Sequence, residues 1–284
     1  MRTRTATARR RSAPFIRPTR LALAGLTALL AACATSPTGR NQLLLYSDAE
    51  LDQMGAASFE QQKQEVPVSS NGVTNRYVEC VADAIVAQLE PSQRTGWEVR
   101  VFESKDVNAF ALPGRKIGVF VGLLQVATTQ DQLAAVIGHE VGHVLAQHGN
   151  ERVSQQSVAQ ISQAAVAAAV SSSNMGTQTG QMVMAGLGLG AQYGVLLPFS
   201  RTHESEADTI GIELMAKAGF DPRASVVLWQ NMGAAAGGAA PPEWASTHPA
   251  NQTRIDNLES HMAEAQNIAA AANAAGLRPR CSPR

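Results

Sequence analysis

Residues 134–152, AAVIGHEVGHVLAQHGNER, crowd three of the chain's six histidines into ten positions. An α-helix turns once every 3.6 residues, so positions four apart share a face, and His139 and His143 point the same way. Upstream, Thr129 and Gln132 form a capping-box pattern, and Leu133, Val136, Ile137, Val141, Val144 and Leu145 supply an apolar stripe at helical spacing. The spacing therefore predicts a buried helix that carries histidines. Glu140 beside the first ring completes H-E-x-x-H, the arrangement in which two imidazoles hold Zn2+ and the carboxylate acts as a base on water. The competing reading is a helix with incidental histidines, because a pattern with three fixed residues in five recurs by chance. Gly138 and Gly142 weigh against it: each costs helix stability, and their place beside the histidines points to another backbone approaching closely.

With 284 residues, 45% of them hydrophobic and 16% charged, the chain can bury a full core, and disorder throughout is excluded. Its formal charge of zero hides a split. Residues 1–32 carry seven arginines and no acid, leaving 16 basic and 23 acidic residues, a charge of −7, in the rest. A phosphate-reading surface should be basic, so nucleic acid is not expected as a partner. The arginines run into LALAGLTALLAA, residues 21–32, an apolar stretch too short to span a bilayer comfortably. It is followed by Cys33 in the sequence LAAC, which resembles a bacterial lipobox. Residues 1–32 are expected to be a lipoprotein signal peptide, with Cys33 lipidated and residues 33–46 forming a polar tether; a cleaved, unlipidated leader and a retained anchor are the alternatives. Cys80 and Cys281 remain, far apart in sequence and without the spacing of a zinc knuckle. A disulfide between them is possible in an oxidising compartment, but sequence does not establish it.

Helices are expected from Ser47 onward and over 71–89, and a strand over 97–104. VNAFALPGRKIGVFVGLL, residues 107–124, reads as two strands around Pro113 and Gly114. That hairpin either only covers the core or offers an edge at Asn108, Ala109, Phe110 and Ala111 that pairs with an extended peptide. The Gln-interrupted Ala/Gly run over 158–197 reads as one or two packed helices rather than a membrane span.

A catalytic zinc usually takes three protein ligands. SRTHESEADTIGIELM, residues 200–215, places Glu204 and Asp208 one turn apart: one could bind the metal while the other accepts the N–H of a ligating imidazole. Glu206 points about 200° away from Glu204 and is expected in solvent. Taken alone, this acidic run would read as an exposed charged face.

HEVGH followed by ESEAD resembles the signature of the gluzincin-type zinc metallopeptidases that include HtpX and the CAAX prenyl proteases. The likeness extends through NAFALPGRKIGVFVGLL, LPFSRTHESEADTIGIELM and THPANQTRI, over roughly residues 71–260. With a lipobox and no membrane helix, the most similar branch is the periplasmic lipoprotein one of LoiP and BepA. The resemblance implies an α+β, mostly helical fold: a zincin-like domain with a small antiparallel sheet beside the H-E-x-x-H helix, spanning residues 47–265 and followed by a C-terminal tail over 266–284. It implies one Zn2+ per chain held by His139, His143 and Glu204, Glu140 as catalytic base and Asp208 as partner of a ligating histidine. His248 would be a regulatory fourth ligand, although Pro249 also allows it to be a plain helix-entry residue. His148 and His261 are expected at the surface, and His203 is assigned no role.

The function implied is an endopeptidase that acts on unfolded or misassembled envelope proteins from the periplasmic side of a membrane, most simply the outer one, with outer-membrane assembly machinery as a possible partner. The rivals are a non-cleaving chaperone that keeps its zinc, and an amidase acting on cell-wall peptides.

Overall fold

The computed structural model describes residues 33–172, 199–236, 248 and 252–282. The expected signal peptide, the Ala/Gly segment beyond Ser172, and Pro249 lie outside the described residues, as does the side chain of Cys33.

The helices begin where capping chemistry permits. Ser47 and Glu50 cap α1 (Asp48–Glu65) reciprocally, and Asn71 Oδ1 accepts the backbone N–H groups of Val73 and Thr74 at the start of α2 (Gly72–Val86). Thr129 and Gln132 close the capping box read from the sequence, so that α3 (Gln130–Leu145) starts sharply and carries both motif histidines. Among the described residues four helices follow: α4 (His148–Ser172), α5 (Arg201–Lys217), α6 (Ala224–Ala236) and α7 (Gln252–Ala274). Among the described residues no helix is long and apolar enough to cross a membrane.

Before α3 lies a three-stranded sheet, β3 (Glu98–Phe102), β4 (Ala109–Leu112) and β5 (Lys116–Phe120), in the order β3-β5-β4. It is mixed rather than antiparallel. β4 and β5 form the expected hairpin, with Phe110 opposite Gly118, while β3 adds to the far side of β5 and runs parallel to it. The turn needs positive φ at two residues: Gly114 at 79° adopts it freely, and Arg115 follows at 60°. Phe59 of α1 packs on Phe102 and Phe110, with Phe120 beyond them, at centroid separations of 5.8–6.1 Å.

The main core gathers α2, the inner sheet residues Val101, Ile117 and Val119, and α3 with α5. α3 and α5 cross almost backbone to backbone. A Cβ on Gly138 would stand 2.8 Å from the Gly211 carbonyl oxygen, and one on Gly142 would stand 2.8 Å from that of Ala207. Any side chain there would push the two helices apart, which accounts for glycine beside each histidine.

Two expected appendages are instead built into the domain. Residues 33–46 do not form a free tether: β1 (Cys33–Thr35) and β2 (Asn41–Leu43) pair as a hairpin that packs on α4. Gln42 Nε2 donates to the Ala146 carbonyl at 2.6 Å, and the Leu45 N–H to Ser154 Oγ at 2.8 Å. The first half of the tail expected over 266–284 is helix, since α7 runs to Ala274 with Ala269 and Ala272 buried. Cys281 is disulfide-bonded to Cys80 of α2, with 5.7 Å between their Cα atoms. Gln130, at the first turn of α3, donates to the Pro279 carbonyl and accepts the Cys281 N–H, so the end of the chain secures the start of the histidine-bearing helix.

Candidate metal centre

α3 projects His139 and His143 toward α5, and α5 projects Glu204 back; all three are buried. Ser200 caps α5 by accepting the His203 N–H, which puts Glu204 in the first turn, where a negative charge is favoured. His139 Nε2, His143 Nε2, one Glu204 oxygen and a nitrogen of His248 lie within 4.8 Å of one another. His139 Nε2 is 3.0 Å from His143 Nε2 and 3.2 Å from His248 Nδ1. Glu204 Oε1 is 3.0 Å from His248 Nδ1 and 3.4 Å from His143 Nε2. Tetrahedral zinc with bonds of about 2.0–2.1 Å needs donor atoms about 3.3 Å apart, so the donor set fits that ion in chemistry and in spacing. Glu204 Oε2 is also buried with no aligned hydrogen-bond donor, although Arg254 Nη1 sits 2.7 Å away as an ion pair.

The surroundings set the charge of each donor. His139 Nδ1 lies 2.9 Å from Asp208 Oδ1. Burial and the nearby Arg254 push the His139 pKa down, but the carboxylates of Asp208 and Glu204 outweigh them and lift it to about 9. Burial takes His143 well below its ordinary value. For Glu204, burial opposes ionisation, yet hydrogen bonds from three imidazoles hold it well below the usual carboxylate range. Proton and cation compete for these nitrogens.

Glu140 is buried next to His139, and its Oε2 accepts the Ala111 N–H at 3.1 Å. Ala111 lies on β4, the outer strand, and this N–H points away from β5. Asn108 precedes the strand, and its carbonyl accepts the Phe120 N–H at 3.0 Å. A cavity of about 200 Å³ opens along Ala111 and Pro113, bordered by His143, Phe199, Trp97 and Leu51. His248 stacks at 5.4 Å on Phe199, which borders this cavity, with its Nε2 3.6 Å from Glu140 Oε1.

Two expectations about nearby residues are corrected. Glu206 is not in solvent: it is 5% exposed and its Oε2 is 3.1 Å from His148 Nε2. His148, expected at the surface, is fully buried, with Nδ1 2.8 Å from His143 Nδ1. His203 is buried as well, stacked on His148 with Nε2 3.1 Å from Glu151 Oε2. The physical reason is that α5 is enclosed on more than one side, so turning away from Glu204 does not lead to water. His261 is half-buried on α7 and away from the cluster. Arg254 was missed altogether. It is 1% exposed, ion-paired to Glu204 and Asp208, and 4.1 Å over the Trp229 ring. Its only signal was position: it lies six residues after His248 in the same short motif, where a charged residue opening a helix reads as solvated.

Known proteins share this arrangement at the level of sequence. The family model of peptidase family M48 matches residues 73–262. The mitochondrial metalloendopeptidase OMA1 of Schizosaccharomyces pombe is 38% identical over 195 residues, covering 68% of this chain and 54% of its own length. The metalloendopeptidase OMA1 of Danio rerio is 32% identical over 259 residues, covering 87% and 53%. The beta-barrel assembly-enhancing protease of Escherichia coli is 26% identical over 205 residues, covering 72% and 42%. The chain thus spans about half the length of these relatives. The match covers two thirds of the chain, including the segment that builds a His-His-Glu-His cluster able to bind a metal, and it establishes that the chain belongs to peptidase family M48, a family of zinc metallopeptidases.

Proposed function

We propose that this chain is a zinc-dependent endopeptidase of the bacterial cell envelope that cuts extended segments of unfolded or misassembled envelope proteins. The observation that carries the reading is the bond from Ala111 N–H to Glu140 Oε2, because it joins the metal donors, a buried carboxylate and an open strand edge in one place. His139, His143 and Glu204 would hold the ion. Bound there, zinc supplies Lewis acidity, lowering the pKa of water toward 7 and polarising a carbonyl.

The remaining work falls to the chain's own groups. Asp208 accepts the Nδ1–H of His139 and so holds the ring in the tautomer whose Nε2, once it loses the proton it shares with His143 Nε2 in the metal-free site, turns its lone pair to the donor side. Glu140 is placed to accept a proton from water on one oxygen and to hand it to the departing amine. The outer edge of β4 at Asn108–Ala111 would take substrate as an added strand, giving affinity through main-chain pairing with little sequence selectivity. The neighbouring cavity has room for one substrate side chain.

The envelope setting is supported by the lipobox-like LAAC at Leu30–Cys33, by the Cys80–Cys281 disulfide, which suits an oxidising compartment, and by the similarity to the beta-barrel assembly-enhancing protease of Escherichia coli. On this reading Cys33 carries the lipid, the protein faces the periplasm from the outer membrane, and outer-membrane assembly machinery is a partner.

A second reading, a chaperone that retains its zinc without cutting, is favoured by one observation: His248 sits among the donors, where it would fill the fourth position and hold the site closed. Incubating the protein with an unfolded, casein-like substrate separates the two. Cleavage should disappear with a chelator, return with one equivalent of zinc, and increase in His248→Ala. If the zinc-loaded protein and His248→Ala both leave the substrate intact while keeping it from aggregating, the chaperone reading holds.

A further inference from the structure

The two ligand histidines are oriented by different partners. His139 donates its Nδ1–H directly to the Asp208 carboxylate. His143 Nδ1 instead meets a second imidazole, His148 Nδ1, at 2.8 Å. A contact of that length between two ring nitrogens needs one N–H and one lone pair. The far side of His148 decides which nitrogen has which: Nε2 is 3.1 Å from Glu206 Oε2, and an ionised carboxylate only accepts. His148 must therefore carry its proton on Nε2, which leaves Nδ1 as the acceptor. His143 must then donate from Nδ1, and its Nε2 is left with the lone pair, facing His139 Nε2 and Glu204.

Glu206 has no freedom to choose otherwise. Thr38 Oγ1 donates to its Oε1 at 2.5 Å, and Arg40 Nε donates to its Oε2 at 2.9 Å. Both come from the turn between β1 and β2, more than 160 residues away in sequence. Arg40 is itself clamped by Glu151 through two bonds of 2.9 and 2.7 Å, and Glu151 holds His203 against the face of His148. His148, Glu206, Glu151 and His203 are buried, so their bonds are made where an unpaired partner would be costly, while Arg40 is half-buried and Thr38 is exposed at the rim.

We propose that His148 and Glu206 are positioning residues for the metal site, and that the β1–β2 hairpin, through Thr38 and Arg40, sets them so that His143 presents Nε2 to the ion. The segment that follows Cys33 would then be part of the metal centre's support. The proposal rests on His143 being a zinc ligand, as proposed above.

The test reads zinc affinity by competition with a chromogenic chelator, together with the visible absorption of the cobalt-substituted protein, which reports ligand geometry apart from activity. His143→Ala should lose stoichiometric zinc; if it does not, the ligand assignment is at fault rather than the relay. His148→Phe keeps the ring volume but removes both nitrogens. It should weaken zinc binding by about 10–100-fold and shift the cobalt bands. The double variant Thr38→Val/Arg40→Met should change both readouts in the same direction by less. Tyr46→Phe, which loosens the same segment at Ser157, should leave both at wild-type values. Wild-type zinc affinity and unshifted cobalt bands in a folded His148→Phe protein would overturn the proposal. If that variant does not fold, the double variant decides by the same readouts: weakened binding supports the hairpin's role, and wild-type binding refutes it.

Discussion

Glu140→Gln should reduce kcat for peptide cleavage by about 10²–10⁴-fold while zinc stays at one ion per chain. The substitution keeps the size and shape of the side chain at a site that is 2% exposed. The glutamine oxygen can still accept the Ala111 N–H, so the edge strand and the helix keep their separation. None of the three proposed ligands is touched. What is lost is a group able to take a proton from water and return it, and an amide does neither at neutral pH. KM for a short peptide should change little, because strand pairing along Asn108–Ala111 is retained. Metal analysis combined with steady-state kinetics checks this result. A metal-loaded variant with undiminished turnover would remove Glu140 from the chemistry.

The second large effect concerns stability. Arg254→Met should destabilise the zinc-free protein by about 3–5 kcal/mol, the usual result of removing one partner from a buried ionic cluster. Arg254 Nε and Nη2 reach both oxygens of Asp208 at 2.7 and 2.6 Å, and Nη1 reaches Glu204 at 2.7 Å. Methionine preserves much of the apolar stem against Trp229, so packing loss is small and the effect is chiefly that of stranded charge. Bound zinc compensates Glu204 independently, so the loss should be smaller in the metal-loaded protein. Denaturant unfolding with and without zinc measures both quantities. A loss below about 1 kcal/mol without zinc, or an equal loss in both states, would contradict this account of the cluster.

The parts of the site legible in the sequence were those written in local periodicity. His139, Glu140 and His143 share a helix, Glu204 and Asp208 share another, and the distances within each pair follow from 3.6 residues per turn. The glycines beside the histidines marked a close crossing of helices, and the structure places Gly211 there. Glu206 and His148 were misread because a helical wheel supposes one buried face, whereas α5 has α3 and α7 on one side and the hairpin residues Thr38 and Arg40 on another. The hairpin was read as tether for a related reason. Its polar composition suggests solvent, and nothing local reveals that Arg40 faces two acids from distant helices. The sheet's parallel pair was hidden because the β4–β5 turn fixes that hairpin but not the side on which β3 joins. In each case the missing information was a partner more than 50 positions away or a choice between two edges.

Anomalous diffraction at the zinc absorption edge, from crystals of the metal-loaded protein, tests the central claim most directly. The account predicts one peak per chain within about 2.0–2.2 Å of His139 Nε2, His143 Nε2 and a Glu204 oxygen. A peak elsewhere in the molecule, or one at the histidines with Glu204 beyond bonding distance, would contradict it.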